Sequence, residues 1–208
     1  MSFCILIPTI NQKELLEQAL DYYAKNFPKT KKYIVDNGNQ DIQRYDEHTT
    51  IYVQKSNLGV AASWNYLIKK AIEDGHDKFL ILNDDIILTL DEETIIRIIC
   101  RWTEQFIVCR PFYNWCSFIL SKTIYDKVGA FDENFKICYF EDNDYKYRMD
   151  LQGIQIKYED LLSPEVYNNS MTIKKDPSLN NFIDNRLYYL EKWGDEPSKE
   201  KYIIPFNK

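Results

Sequence analysis

"FLILNDDIIL", residues 79–88, reads as a buried strand with a polar interruption. Apolar residues run from Phe79 to Leu82, resume from Ile86 to Leu88, and are broken by Asn83, Asp84 and Asp85. A carboxylate isolated in an apolar interior costs several kcal/mol or shifts its pKa until it is neutral. Two adjacent ones would do so twice. The pattern becomes physically reasonable if Leu82 ends the strand and the triplet stands beyond the sheet edge, facing a crevice.

The same arrangement recurs on the upstream side. Residues 3–7 form an apolar run that reaches Pro8 and Thr9, "KYIVDN" (32–37) is a strand with Asp36 near its end, and "TIYVQK" (50–55) is another. Between them, Leu15, Leu16, Ala19, Leu20 and Tyr23 recur at helical spacing, with Asn11 and Glu14 matching a capping box at the helix start. Residues 60–73 carry Ala61, Ala62, Trp64, Leu67, Ile68 and Ala71 on a second helical face. Short apolar strands alternating with helices predict an α/β fold, a mostly parallel central sheet flanked by helices on both faces. Ligands of such sheets bind at the carboxyl ends of the strands, where Asp36 and the Asn83–Asp85 triplet both fall.

Downstream, the periodicity predicts a helix over 91–104, strands in "FIVCRP" (106–111) and "WCSFILS" (115–121), and a helical "KTIYDKVG" (122–129). The loop "AFDENF" (130–135) leads into "CYFEDNDYKYRMDLQG" (138–153), whose second half reads as a helix ended by Gly153. "IQIKYE" (154–159) is one more strand, followed by loop, a helix-like 179–193 and a polar tail. No repeat, low-complexity tract or linker divides the chain, and 208 residues suit a single domain spanning 1–208.

Composition excludes several classes. With 45% hydrophobic and 28% charged residues the chain is an ordinary globular one rather than a disordered one. Lys and Arg number 26 against 32 Asp and Glu, a net charge of −6, and the basic residues are scattered, so an extended phosphate backbone would be repelled and no nucleic-acid partner is expected. A small polyanion held through a divalent cation is compatible, because the metal supplies positive charge locally. Five cysteines without a CxxC (Cys4, Cys100, Cys109, Cys116, Cys138) read as reduced core residues of a cytoplasmic protein. The opening "MSFCILIPTI" has too short an apolar run for a secretory signal, and no stretch reaches the ~18 to 20 apolar residues of a transmembrane segment. His48 and His76 lie in polar segments and are expected on the surface.

Three motifs carry chemistry. Asn83-Asp84-Asp85 at a strand end suits magnesium or manganese, which use one or two protein carboxylates and fill their remaining sites with substrate phosphates and water; the alternative is a solvated turn. "FEDNDYKYR" (140–148) gathers Glu141, Asp142 and Asp144 at a helix start. There the helix dipole alone favours acids, while the functional reading is a general base kept partly dry by Tyr139 and Phe140. Asp36 in "VDNG" is either an Asx-turn before Gly38 or an acceptor for the base or ribose of a nucleotide. No GxGxxG or GxxxxGK[ST] is present.

The order of these features resembles that of the family 2 glycosyltransferases of the GT-A fold. The match runs from residue 3 to about 160: a first strand ending "IPT", an Asp after the second ("VDNG"), "SNLGVAASWN" (56–65), the DxD-type "NDD", then "VGAFDENF" and "FEDNDYKYR". The short chain also looks like the glycosyltransferase domains that large algal DNA viruses encode, which implies the host cytoplasm as its location.

The resemblance implies a nucleotide-binding half over about 1–88, an acceptor and catalytic half over about 89–175, and a C-terminal helix and tail over about 176–208. Pro8, Thr9 and Asp36 would hold a uracil or thymine base, Asn57 and Asn65 would lie along the nucleotide, Asp84 would stand by the ribose or metal waters, and Asn83 would be a further nucleotide-binding residue. Asp85, with Asp84, would ligate Mn2+ or Mg2+, and Asp142 would be the base with Glu141 beside it. The implied reaction is inverting transfer of a hexose or a deoxyhexose such as rhamnose from a UDP- or dTDP-sugar donor to a glycan acceptor. Two departures stand out: Asn83 replaces the first acid of the DxD, and "VYNNSMT" (166–172) lacks the His that many relatives carry after the last strand. The rival readings are a sugar-1-phosphate nucleotidyltransferase, which would want a glycine-rich basic loop where "PTINQKE" (8–14) stands, and a non-catalytic sugar-nucleotide or glycan-binding protein of the same fold.

Overall fold

The computed structural model describes residues 2–43, 46–88, 90–101, 106–109, 114–159 and 171–208. In chain order its elements are β1 (Phe3–Thr9), α1 (Lys13–Asn26), β2 (Lys31–Asp36), β3 (Thr49–Val53), α2 (Val60–Glu73), β4 (Lys78–Leu82) and α3 (Glu92–Arg101). There follow β5 (Phe106–Val108), β6 (Ser117–Ser121), α4 (Lys122–Val128), α5 (Glu141–Leu151), β7 (Ile156–Tyr158), α6 (Met171–Lys175) and α7 (Phe182–Trp193).

Seven strands form one sheet in the order β3-β2-β1-β4-β6-β5-β7. The pairs β1–β2, β1–β4, β2–β3 and β5–β7 are parallel, whereas β6 runs antiparallel to both β4 and β5. The mostly parallel α/β architecture read from the sequence is the one observed. Strand residues alternate between two cores, as the pleat requires. Ile5, Ile7, Leu80 and Leu82 pack with α1 and α3, while Cys4, Leu6, Phe79 and Ile81 pack with α2 and α5. A third cluster joins Phe135, Phe140, Tyr189 and Trp193, docking α7 against the segment that precedes α5.

Leu82 does end β4, and the chain order reverses around β1, with β2 on one side and β4 on the other. The carboxyl ends of β1 and β4 therefore flank a topological switch point, the place where open α/β sheets leave a crevice. The amino end of antiparallel β6 closes its far side, with the Asn83 N–H donating to the Cys116 carbonyl at 2.9 Å.

Some local expectations differ from the structure. The Asn11–Glu14 capping box does not form: Gln12 precedes α1 without a side-chain cap, and Asn11 takes φ 58°. The start of the helix is held from a distance instead, the Gln12 N–H donating to the Gln40 side chain at 2.6 Å. The helix expected over 179–193 is split into a 3-10 turn at Pro177–Leu179 and α7, with Asn180 extended between them and its side chain accepting from the Phe182 N–H. His76 is buried rather than exposed. Its ring hydrogen-bonds Ser2 Oγ at 2.7 Å and packs edge-on against Tyr33, and burial lowers its pKa. Cys4, Cys109 and Cys116 lie in the core as expected, but Cys138 is half-buried and Cys100 is exposed on α3. The segments 102–105, 110–113 and 160–170, which hold the end of the predicted third helix and most of "VYNNSMT", lie outside the described residues. Among the described residues no helix is long and apolar enough to cross a membrane.

Candidate active site

A cavity of about 430 Å³ opens at the carboxyl edge of the sheet. Pro8 and Thr9 from β1, Asn37 following β2, and Asn83, Asp84 and Asp85 following β4 line one side. Gly59 and Ser63 at the start of α2 form its floor, with Asn57 beside them, and Glu141 and Asp142 at the start of α5 face it together with Trp115, Tyr139, Phe140 and Phe182. Four carboxylates thus reach one space, and no Lys, Arg or His is among the described residues that line it.

Each acid pair carries the electrostatic mark of burial. Asp84 is buried and accepts from Thr9 Oγ1 at 2.8 Å, a bond that ties the ends of β1 and β4 together. Burial pushes its pKa up to about 7, opposed by the Thr9 bond and assisted by the neighbouring charge of Asp85. Asp85 is raised to about 6, also by burial, and its Oδ1 is buried with no hydrogen-bond partner.

Glu141 is raised by burial and by the charge of Asp142, and its Oε2 likewise has no partner. Asp142 is raised by burial but accepts the Asn143 N–H at 2.8 Å, which stabilises its charged form. Of two adjacent buried carboxyls one holds a proton more cheaply than both hold charge.

A divalent cation fits this donor set. Among the described residues no three His, Cys, Asp or Glu side chains converge on one point, so a cation would rest on one or two carboxylates and take its other ligands from substrate oxygens and water, the usual habit of magnesium. The unpartnered Oδ1 of Asp85, beside a second raised carboxylate, is the position that such an ion would satisfy.

Two of the residues expected here are elsewhere. The Asp36 carboxylate is fully buried and does not line the cavity; it accepts the Gly38 N–H at 2.9 Å, the Gln40 N–H at 2.6 Å and Gln40 Nε2 at 3.0 Å. It builds the turn after β2, the structural alternative that its sequence context offered. Asn65 also faces away from the cavity. Its amide donates to the Phe131 carbonyl and Glu133, both at 2.9 Å, and accepts the Phe131 N–H at 2.9 Å, fastening α2 to the loop that follows α4. Asn57 does line the cavity, and its Oδ1 accepts the Gly59 N–H at 2.9 Å.

The structure adds Ile137, Gly59 and Asn185, and gives Tyr139 and Phe140, expected only to shield the acids, a backbone role. Ile137, Tyr139 and Phe140, just before the two acids, have φ of 59°, 83° and 72°. Non-glycine residues in this region each cost of order 1–3 kcal/mol and persist only where their surroundings hold them. The Val60 N–H donates to the Ile137 carbonyl at 2.7 Å, and Gly59 must be glycine, because a Cβ there would lie 2.9 Å from the Ile137 nitrogen. On the other side Asn185, from α7, binds the backbone of the same segment. Of the added residues, only Gly59 carried a sequence signal, within "SNLGVAASWN".

No protein-family model matches the sequence, and no curated protein matches it. Solved structures do. TarS of S. aureus superposes with a TM-score of 0.61 at 15% identity, over 80% of this chain and 36% of its own. GalNAc-T7, crystallised with UDP, GalNAc and Mn2+, superposes with a TM-score of 0.69 at 11% identity, over 94% of this chain and 48% of its own. The chain has the GT-A fold of nucleotide-sugar transferases. A Bacillus anthracis protein assigned as a glucose-1-phosphate thymidylyltransferase shares that architecture with a TM-score of 0.54 at 10% identity, over 76% of this chain and 86% of its own. At such identities the likeness is one of fold alone, and this chain spans only 36% of TarS and 48% of GalNAc-T7.

Proposed function

We propose that this chain is a divalent-metal-dependent, inverting glycosyltransferase of family 2 type, moving a hexose or deoxyhexose from a UDP- or dTDP-sugar to a glycan hydroxyl. The observation that carries the reading is the meeting of two acid pairs from separate elements, Asp84–Asp85 after β4 and Glu141–Asp142 at the head of α5, in one cavity at the switch point. The motif order of the sequence supports the same reading, as does a GT-A neighbour crystallised with UDP and Mn2+.

In this reading Asp85, assisted by Asp84, holds Mn2+ or Mg2+, and Pro8, Thr9 and Asn57 border the nucleotide. The bound ion would supply the positive charge that the diphosphate leaving group needs and the described lining residues do not offer. The acceptor hydroxyl oxygen forms its bond to the anomeric carbon from the face opposite the diphosphate. As the bond from that carbon to the phosphate oxygen breaks, the electron pair leaves with the nucleoside diphosphate. Asp142 receives the hydroxyl proton. A single displacement inverts the anomeric configuration. Glu141 stands beside the base, and Trp115, Tyr139 and Phe140 keep the space dry enough to strengthen these interactions.

The test is a screen of UDP- and dTDP-sugars with Mn2+, by calorimetry for binding and by release of UDP or dTDP for turnover. Metal-dependent binding followed by nucleotide release supports the reading; binding without release leaves a sugar-nucleotide-binding protein. The B. anthracis likeness favours nucleotidyl transfer as a second reading. Against it stands "PTINQKE" (8–14), which lacks the glycine-rich basic loop of that chemistry. Pyrophosphate release from a nucleoside triphosphate and a sugar 1-phosphate would decide for it.

A further inference from the structure

Asn185 lies 44 residues beyond Glu141 in sequence and is only 1% exposed. Its amide nitrogen faces three main-chain carbonyls, those of Lys136 at 2.8 Å, Cys138 at 2.8 Å and Tyr139 at 2.9 Å. Its carbonyl oxygen accepts the Lys136 N–H and the Asn181 amide, both at 3.0 Å. The segment so gripped contains the left-handed Ile137, Tyr139 and Phe140 and runs directly into Glu141. Phe140 precedes α5 without any side-chain cap; the first turn is held further along by Asp144, which accepts from Trp193 Nε1 at 2.8 Å and pairs with Lys192 at 2.6 Å, so the two residues before Asp144 depend on the loop for their aim. The loop is held by the Val60–Ile137 bond on one side and, on the other, by α7, where Phe140 packs on Phe182 and Tyr189 and Asn185 makes the hydrogen bonds to its backbone.

We infer that Asn185 is a positioning residue for sugar transfer: by clamping the carbonyls of residues 136, 138 and 139 it aims Glu141 and Asp142 into the cavity. This rests on the reading of the cavity as a transfer site. Asn suits the task because two N–H donors and a carbonyl on one short side chain can serve donors and acceptors of a single loop. Without the amide, the carbonyls lose their shared donor and the three positive-φ residues relax toward ordinary conformations, turning the first residues of α5 away. Asp84 and Asp85 belong to β4 and its loop, so they stay where they are.

The experiment compares Asn185→Ala and Asn185→Asp with the unmodified protein, and uses Asn181→Ala, which removes only the neighbour of the Asn185 oxygen, as a control. UDP release from the best UDP-sugar of a panel, with Mn2+ and water as acceptor, gives kcat; calorimetry with UDP and Mn2+ gives Kd. Carboxyl 13C shifts of labelled Asp and Glu report the acids without turnover. A misplacement of about an ångström costs on the order of 10²-fold in rate. Both Asn185 variants should lose roughly that in kcat with Kd unchanged, and the shifts of Glu141 and Asp142 should move while those of Asp84 and Asp85 stay. Asn181→Ala should match the unmodified protein. Unchanged kcat, or kcat and binding lost in equal proportion as in a merely unfolded variant, would overturn the inference, as would unmoved Glu141 and Asp142 shifts. If the unmodified protein releases no UDP from any donor while the shifts move as stated, the transfer reading falls and the clamp stands.

Discussion

Replacing Asp85 by Asn should stabilise the protein without metal and destabilise it, relative to the unmodified chain, with metal. Burial raises the Asp85 carboxyl from 3.8 to about 6, about two pKa units at 1.36 kcal/mol each, so its ionised form costs the folded state up to ~3 kcal/mol at pH 7. The folded protein binds this proton more tightly than the unfolded chain does. Stability contributed by the protonated carboxyl is therefore full below about pH 4 and lost as pH rises to about 6. Asparagine is neutral throughout. Asp85→Asn should raise the melting temperature at pH 7 by up to roughly 6 to 12 °C, taking 2–4 °C per kcal/mol for a chain of this size, and should change it little at pH 4.

Manganese reverses the order. A ligand at 1,000 times its Kd stabilises by about 4.1 kcal/mol, more than the ~3 kcal/mol that the ionised carboxyl costs, and the ion binds the deprotonated carboxylate, so at that concentration the unmodified protein should gain that amount at pH 7 and the variant little of it. Thermal melts at pH 4 and pH 7, with and without Mn2+, are sufficient. If Asp85→Asn is no more stable than the parent at pH 7 without metal, the carboxylate is not desolvated as its unpartnered Oδ1 implies. If Mn2+ raises both melting temperatures equally, the ion sits elsewhere.

Asp142→Asn should lower UDP release by ~10² to 10⁴, the usual contribution of a general base, with UDP and Mn2+ affinity unchanged by calorimetry, while Glu141→Gln should cost less. Asn65→Ala, which strands the Phe131 backbone and Glu133, should lower unfolding free energy by ~2 to 4 kcal/mol in urea titrations and leave UDP affinity of the folded protein unaltered. Asp36→Ala should lower stability by a similar ~2 to 4 kcal/mol in the absence of any nucleotide, because three N–H donors lose their buried acceptor; a loss seen only as weaker UDP binding would restore Asp36 to the nucleotide.

The sheet was legible because its signals are local. Runs such as Phe79–Leu82 and Tyr33–Val35 alternate between two cores and need no distant residue to be recognised as strands. The acids at strand and helix ends were legible for a related reason: an interrupted apolar run has few physical excuses, and Asp84 and Asp85 do line a cavity. What could not be read was orientation. Asn65 sits on the same helix as Ser63, two residues away, yet Ser63 lines the cavity and Asn65 faces Phe131. A helix turns 100° per residue, so a shared motif puts its members on different faces.

Asp36 shows why a motif residue and its use are separate questions. It stands at the end of β2, level with Thr9 at the end of β1, which is where a nucleotide-binding acceptor would be sought. Its carboxylate nevertheless holds the turn through Gly38 and Gln40, and the Gln40 side chain also reaches Thr9 Oγ1 at 3.2 Å and the Gln12 N–H at 2.6 Å. One glutamine therefore links the turn after β2 to the end of β1 and the start of α1. Thr9 in turn donates to Asp84, so a chain of hydrogen bonds runs from Asp36 through Gln40 and Thr9 to the acid pair after β4. Asp36 acts on the cavity at one remove, by fixing the residues that border it. Nothing in "VDNG" distinguishes this from direct contact, because the deciding partner, Gln40, lies beyond that motif and acts through its fold-dependent reach to Thr9 and Gln12.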